Sequence, residues 1–246
     1  MDINGKTAII TGGGTGIGRA ISLKLAKEGA NIVINYSRSS TEAENTLKEI
    51  QSLGGNGIVI QADVSKKEQV ERMYHEVISH YGGADIVVNN AGTTNFVPLD
   101  DLDGLLEEHW DNVFNVNVKG VFFVNRVFAK ELRKSKGCIV NITSIAGFNG
   151  TGSSMAYAAS KAAGISITKS FARVLAPEVR VNSIAPGIVK TRWVEGQDEH
   201  IRKHGDNTPL GRVATPEDVA DMTWAVISGG DFVTGQTIVV DGGWTL

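Results

Sequence analysis

Seven short apolar runs recur along the chain: Thr7 to Ile10, Asn31 to Tyr36, Gly57 to Gln61, Asp85 to Asn89, Cys138 to Ile142, Arg180 to Ile184 and Thr237 to Val240. Each is nearly continuous rather than alternating, as a strand covered on both faces requires. Helical stretches lie between them. Ile17 to Glu28 ends at Gly29, a C-terminal cap signal. Thr41-x-x-Glu44 and Ser65-x-x-Glu68 read as capping boxes opening two more helices. Leu102 to Ser135 reads as two helices or one kinked helix, and Met155 to Leu175 as a long helix stopped before Pro177. Thr215-Pro216-Glu217-Asp218 supplies an N-cap, a first-turn proline and an acidic first turn for the last helix. Strand–helix alternation throughout predicts an α/β fold, a doubly wound parallel sheet of about seven strands with helices on both faces.

Composition narrows the function classes. Twenty-four basic residues against 27 acidic ones leave a net charge of −3, too balanced for a nucleic-acid binder or an anionic-membrane binder. The single cysteine, Cys138, allows no intrachain disulfide and no cysteine-based zinc site, and it reads as a small core residue. The longest apolar runs, such as Val121 to Val124, are too short to span a bilayer. The start, Met1 to Lys6, has no apolar signal region, so a soluble, cytoplasmic protein is expected. Glycine is abundant, 29 of 246 residues, which calls for tight turns and close backbone approaches.

One such turn directly follows the first strand: Thr11-Gly12-Gly13-Gly14-Thr15-Gly16-Ile17-Gly18. Gly12 permits the turn, Gly14 and Gly16 let backbone approach a pyrophosphate, and Gly18 lets the helix pack on the strand. The phosphates would meet free N–H groups and the positive end of the helix dipole. No Gly-Lys-Ser/Thr follows, so this is not a P-loop. With no linker, repeat or low-complexity stretch, residues 1–246 read as a single dinucleotide-binding domain. Its least regular segment, about 187–212, is too long for a passive connection.

The spacing Gly-x-x-x-Gly-x-Gly resembles that of the short-chain dehydrogenase/reductase family in its compact form, and the resemblance runs end to end. Asn89-Asn90-Ala91-Gly92 follows the fourth strand; Ser144, Tyr157 and Lys161 match the catalytic serine and Tyr-x-x-x-Lys; Asn117 matches a fourth catalytic position. Pro186-Gly187 and Thr234-Gly235-Gln236…Val240-Asp241-Gly242-Gly243 also match. The resemblance implies an enzyme that interconverts a carbonyl and a secondary alcohol with a nicotinamide cofactor. It implies a Rossmann-like catalytic domain, with the segment at about 187–212 as its substrate loop. Tyr157 would be the acid/base, Ser144 the partner of the developing oxyanion, and Asn117 the anchor of a helix kink and a proton-relay water. Lys161, one helical turn from Tyr157, would lower the tyrosine pKa and bind the nicotinamide ribose.

At the end of the second strand the chain reads Asn35-Tyr36-Ser37-Arg38-Ser39, with no carboxylate between Glu28 and Glu42. A carboxylate there would favour NAD(H); Ser37 and Arg38 favour the 2′-phosphate of NADP(H). In the family pattern Thr15 and Ile17 belong to the cofactor loop, and Asp63 and Val64 meet the adenine. Asn90 meets the adenosine ribose, while Pro186, Gly187, Val189 and Thr191 flank the nicotinamide. The branches resembled are 3-oxoacyl-[acyl-carrier-protein] reductases and sugar or sugar-alcohol dehydrogenases. A small molecule or an acyl thioester is therefore the expected substrate, and the alternative is a non-catalytic NADP-binding sensor or scaffold.

For an acidic carrier protein, Lys130, Arg133, Lys134 and Lys136 are candidates for a basic patch beside the pocket mouth. A homotetramer is implied by the resemblance. Phe122, Phe123, Phe128 and Phe171 could serve its interfaces or face their own sheet. No metal site is expected: the five histidines form no His-Glu-x-x-His pattern, and His200 and His204 sit on what reads as a solvated face. Asn141-Ile142-Thr143 matches a glycosylation acceptor but falls on a core strand. Trp193, inside the loop region, either lines a substrate pocket or pins the loop.

Overall fold

The computed structural model describes residues 1–196 and 198–246; Gln197 and the side chain of His200 lie outside the described residues. Seven strands form one parallel sheet: β1 (Thr7–Ile10), β2 (Asn31–Tyr36), β3 (Asn56–Gln61), β4 (Ile86–Asn89), β5 (Cys138–Ile142), β6 (Arg180–Pro186) and β7 (Thr237–Val240). Their order is β3-β2-β1-β4-β5-β6-β7, with every pairing parallel.

The near-continuous apolar runs follow from burial on two faces. In β1, Ala8 and Ile10 join one core layer and Ile9 joins the other. The first layer is closed by α1 (Gly16–Lys27), α2 (Ser40–Ser52) and α9 (Pro216–Gly229), through Ile21, Leu25, Ile50, Val219 and Ile227. The second is closed by α3 (Lys67–Tyr81), α5 (Val121–Ser135) and α7 (Met155–Leu175), through Met73, Val77, Phe128, Leu132 and Leu175. After β3 the chain returns to the far side of β1, so β1 and β4 part at their C-terminal ends and open a crevice there.

Some helix starts differ from expectation. α2 begins at Ser40, because the Ser39 carbonyl accepts its first turn from Ala43 N–H, leaving Thr41 and Glu44 inside the helix. Before α3, Ser65 is captured by Asp63: its N–H and hydroxyl both donate to Asp63 Oδ1, at 2.9 and 2.7 Å, and the helix starts at Lys67. The 102–135 stretch is one bent run. Its helix opens at Glu107, α4 ends at Phe114, and a π-helical turn, Asn115–Gly120, joins it to α5. α7 matches expectation at both ends, with the Ser154 hydroxyl accepting from Tyr157 N–H at its start. The irregular segment after β6 contains a 3₁₀ turn, Arg192–Val194, and a helix, α8 (Asp198–Asp206). Its two ends are tied together where Lys190 N–H donates to Ala214 O and Ala214 N–H donates to Ile188 O.

The basic run is not beside the crevice. Lys130, Arg133 and Lys134 occupy the last turns of α5, and Lys136 caps that helix two residues before β5 starts, at the opposite end of the sheet. Arg133 donates to the Val174 carbonyl, and Lys134 pairs with Glu131. Phe128 is fully buried under its own sheet, whereas Phe122 is 45% exposed and meets the ring of Phe171. Cys138 is buried, and burial pushes its thiol up to about 11. No helix is long and apolar enough to cross a membrane, among the described residues.

Candidate active site

The crevice at the strand C-termini is a cleft of about 1390 Å³. One end is floored by the glycine loop. Gly12 and Gly16 adopt left-handed backbone conformations, with φ of +62° and +50°. At Gly18 an added Cβ would stand 2.2 Å from Gly12 O, so glycine is what lets α1 reach the turn. Gly12, Thr15, Gly16 and Ile17 line the cleft; Gly14 and Gly18 do not. The Gly14 Cβ position faces α2, 2.7 Å from Ala43 Cα, so a glycine there also lets α2 pack against the loop.

Polar residues hold this loop, among them Thr11 and Asn35, to which the sequence reading gave no role, and Asn90, which it placed at the adenosine ribose. Thr11 Oγ1 accepts from the N–H groups of Asn90 and Ala91, each at 3.0 Å. Asn35, buried in β2, donates from Nδ2 to Ala62 O at 2.9 Å, and its Oδ1 accepts from Gly12 N–H. Asn90 Nδ2 donates to Thr11 O and Gly12 O. An asparagine inside a β-branched run was the available signal, since a buried amide must find partners. Beyond the loop, Ser37, Arg38, Asp63 and Val64 line the same end of the cleft. Arg38 is exposed and has no ion pair among the described residues.

The other end gathers the four expected catalytic positions. Ser144 lies just past the end of β5, where its Oγ accepts from Ala146 N–H at 3.1 Å. Tyr157 and Lys161 project from successive turns of α7, with Lys161 Nζ 5.5 Å from the tyrosine ring centroid. Lys161 Nζ also donates to Ile142 O at 3.0 Å. Asn117 sits in the π-helical turn, and its amide is spent on neighbours. Oδ1 accepts from Thr93 N–H, while Nδ2 donates to Thr93 O and to Ser160 Oγ. It thereby ties the strand-end loop after β4 to α7.

Electrostatically this pocket departs from the sequence expectation. Burial pushes the Tyr157 phenol up to about 12, with the Ser144 hydroxyl pulling the other way. Burial also pushes the Lys161 ammonium down to about 8. The same low-dielectric surroundings disfavour both charged forms.

Pro186, Gly187, Val189 and Thr191 line the cleft on the β6 side. Trp193 lines it as well, its ring meeting Tyr157 edge to face at a centroid distance of 6.3 Å. His204 of α8 stacks on Trp244 at 3.7 Å, a contact between the loop region and the chain's last turn that no local pattern announced. Among the described residues no group of His, Cys, Asp and Glu side chains could hold a metal ion.

Comparison with known proteins agrees with this geometry. The sequence profile of a family described as enoyl-(acyl carrier protein) reductase matches residues 12–245. The chain is 38% identical over 246 residues to the 3-oxoacyl-[acyl-carrier-protein] reductase FabG of Staphylococcus epidermidis, covering 97% of this chain and 98% of that one. It is also 38% identical, over 251 residues, to the FabG of Thermotoga maritima, with 99% of each chain covered. A short-chain type dehydrogenase/reductase from Mycobacterium marinum superposes with a TM-score of 0.91 at 33% identity, covering 99% of this chain and 97% of that one. With its parallel seven-stranded sheet, glycine loop and these full-length relatives, the chain belongs to the short-chain dehydrogenase/reductase family of oxidoreductases.

Proposed function

We propose that the protein is an NADP(H)-dependent oxidoreductase that interconverts a ketone, including the keto group of a 3-oxoacyl thioester, and a secondary alcohol. The observation that carries this reading is one cleft lined at one end by the glycine loop and at the other by Ser144, Tyr157 and Lys161.

The residues present fit a 2′-phosphorylated dinucleotide. Gly12 and Gly16 form a cradle at the start of α1 that side chains could not adopt without strain. Arg38 and Ser37 stand exposed where the 2′-phosphate would lie, and the lining carboxylate, Asp63, is at the end of β3, one strand further out. In this reading Gly12, Thr15, Gly16 and Ile17 hold the pyrophosphate, and Asp63 and Val64 the adenine. Asn90 serves the adenosine ribose. Tyr157 and Lys161 serve the nicotinamide ribose, and Pro186, Gly187, Val189 and Thr191 flank the ring. The bound cofactor supplies or accepts the hydride.

The remaining steps belong to the chain. Ser144 donates a hydrogen bond to the carbonyl oxygen and stabilises charge developing there. Tyr157, held in its phenol form at neutral pH by burial, gives its proton to that oxygen during reduction. Lys161, still mostly an ammonium at pH 7, is placed to restore the phenol proton. Asn117 keeps the π-helical turn and α7 in register around them. Residues 1–246 act as one domain, and Phe122 with Phe171 presents an aromatic surface suited to pairing protomers within a homotetramer.

The test is cofactor consumption with NADPH and NADH in parallel, over 3-oxoacyl thioesters, sugars, diketones and cyclic ketones. Tyr157→Phe should lower turnover by about 10²–10⁴-fold while still binding NADPH. Equal turnover in that variant refutes the chemistry, and a preference for NADH refutes the role of Arg38 alone.

A further inference from the structure

We infer that Trp193 is the specificity-determining residue of the substrate half of this cleft, and that it selects an apolar ketone over a polyhydroxylated one. The inference rests on the reading above, because it takes Tyr157 as the group beside the reacting oxygen.

Trp193 is not a free loop residue. It sits in the 3₁₀ turn Arg192–Val194, whose start is fixed by Thr191 Oγ1 accepting from Trp193 N–H. Thr191 in turn stands against the glycine loop, its Cγ2 3.4 Å from where a Cβ of Gly16 would be. The bridge between Val189 and Ala214 closes the base of the excursion, and the His204–Trp244 stack holds its far side down. The indole is therefore carried on an anchored arm. It retains 38% exposure, so one part of the ring packs on Tyr157 while another part faces the cleft.

Gly152 is a second neighbour of the Tyr157 ring, with φ of +126° and its Cβ position 3.3 Å from Tyr157 Cδ1, so a side chain there would crowd the phenol. Phe96, Val97 and Val194 extend the apolar surface of the cleft beside the indole. Two of the nearby polar groups are already engaged: Ser153 Oγ pairs with Thr94 Oγ1 at 2.5 Å, and Asn149 Oδ1 accepts from both Thr151 N–H and Thr151 Oγ1. Asp63 is the single carboxylate among the described lining residues, and it stands across the cleft at the end of β3. Substrate hydroxyls placed against the indole would lose water without gaining partners there, whereas an alkyl or acyl chain lying on it would not.

The test uses two probes: the N-acetylcysteamine thioester of 3-oxohexanoate and D-fructose. Calorimetric binding of each is measured to the NADP⁺-saturated protein, together with NADPH-driven reduction. The thioester should bind and turn over about 10²-fold better than fructose. Trp193→Ala should raise both its dissociation constant and its KM about tenfold with kcat retained, and Trp193→Phe should restore most of that loss. NADPH affinity should be the same in all three proteins. Fructose binding as tightly as the thioester, no binding of either probe, or Trp193→Ala leaving the discrimination unchanged overturns the proposal. Because binding to the NADP⁺ complex needs no proton transfer, this result stands apart from Tyr157→Phe, which tests the chemistry.

Discussion

Replacing Lys161 by methionine should make the ligand-free protein more stable at neutral pH while destroying its activity. Lys161 is 8% exposed, and burial lowers its pKa from 10.5 to about 8. That fall corresponds to about 3 kcal/mol between its charged and neutral forms. Between pH 8 and 10.5 the unfolded chain still holds the proton that the folded chain has released, so stability rises with pH across that window. Below about pH 8 the penalty for burying the ammonium is present in full. Methionine fills similar space without charge, but it removes the donor to Ile142 O, at a cost of about 1–2 kcal/mol. The net expectation at pH 7 is a gain of about 1–2 kcal/mol, or about 2–8 °C in Tm for a chain of this size. Urea unfolding of both proteins at pH 7 and pH 10 reads it directly. The difference should move by about 2–3 kcal/mol at the higher pH, as the wild type loses its buried charge, leaving the wild type the more stable by about 1 kcal/mol. A difference that does not change with pH, or a variant already less stable at pH 7, would refute the reasoning.

Three further outcomes are expected. In the reductive direction kcat/KM should fall as pH rises through about 8, where Lys161 loses its proton; Tyr157, held up near 12, adds no break below pH 10, and a flat profile to pH 10 counts against Lys161 as the proton source. Arg38→Ala should raise the KM for NADPH about tenfold and leave that for NADH unchanged, since only the phosphorylated cofactor uses the guanidinium; equal effects on both would remove the 2′-phosphate role. Gly14→Ala should cost about 1–3 kcal/mol in denaturant unfolding, because its Cβ meets Ala43 Cα at 2.7 Å, with NADPH affinity intact; lost affinity at full stability would place Gly14 at the pyrophosphate site instead.

Much of the architecture is legible in the chain because its signals are local. A strand buried on both faces is apolar at nearly every position, so β1, β2 and β5 show their bounds directly. Thr215-Pro216-x-Asp218 caps α9 within four residues, and Pro177 ends α7 by its own geometry. Ser144, Tyr157 and Lys161 were legible through the resemblance to the short-chain family pattern; a strand end and one helical turn then account for their lying on the same edge of the sheet as the glycine loop.

Competing partners were not legible. Thr41 and Ser65 look like caps until tertiary neighbours are counted, and Asp63 then takes the Ser65 hydroxyl. The packing role of Gly14 appears only when α2 arrives beside it, 25 residues and more further along the chain. The lysines and arginines at the end of α5 are near Ser144 in sequence but an entire strand length away in space. Trp193 meets Tyr157, and His204 meets Trp244, across a loop whose path is set by pairing at Val189 and Ala214. The pKa values of the pocket belong to the same class. A tyrosine and a lysine four residues apart establish proximity, whereas burial decides which charge states are favoured, and burial is a property of everything packed around them.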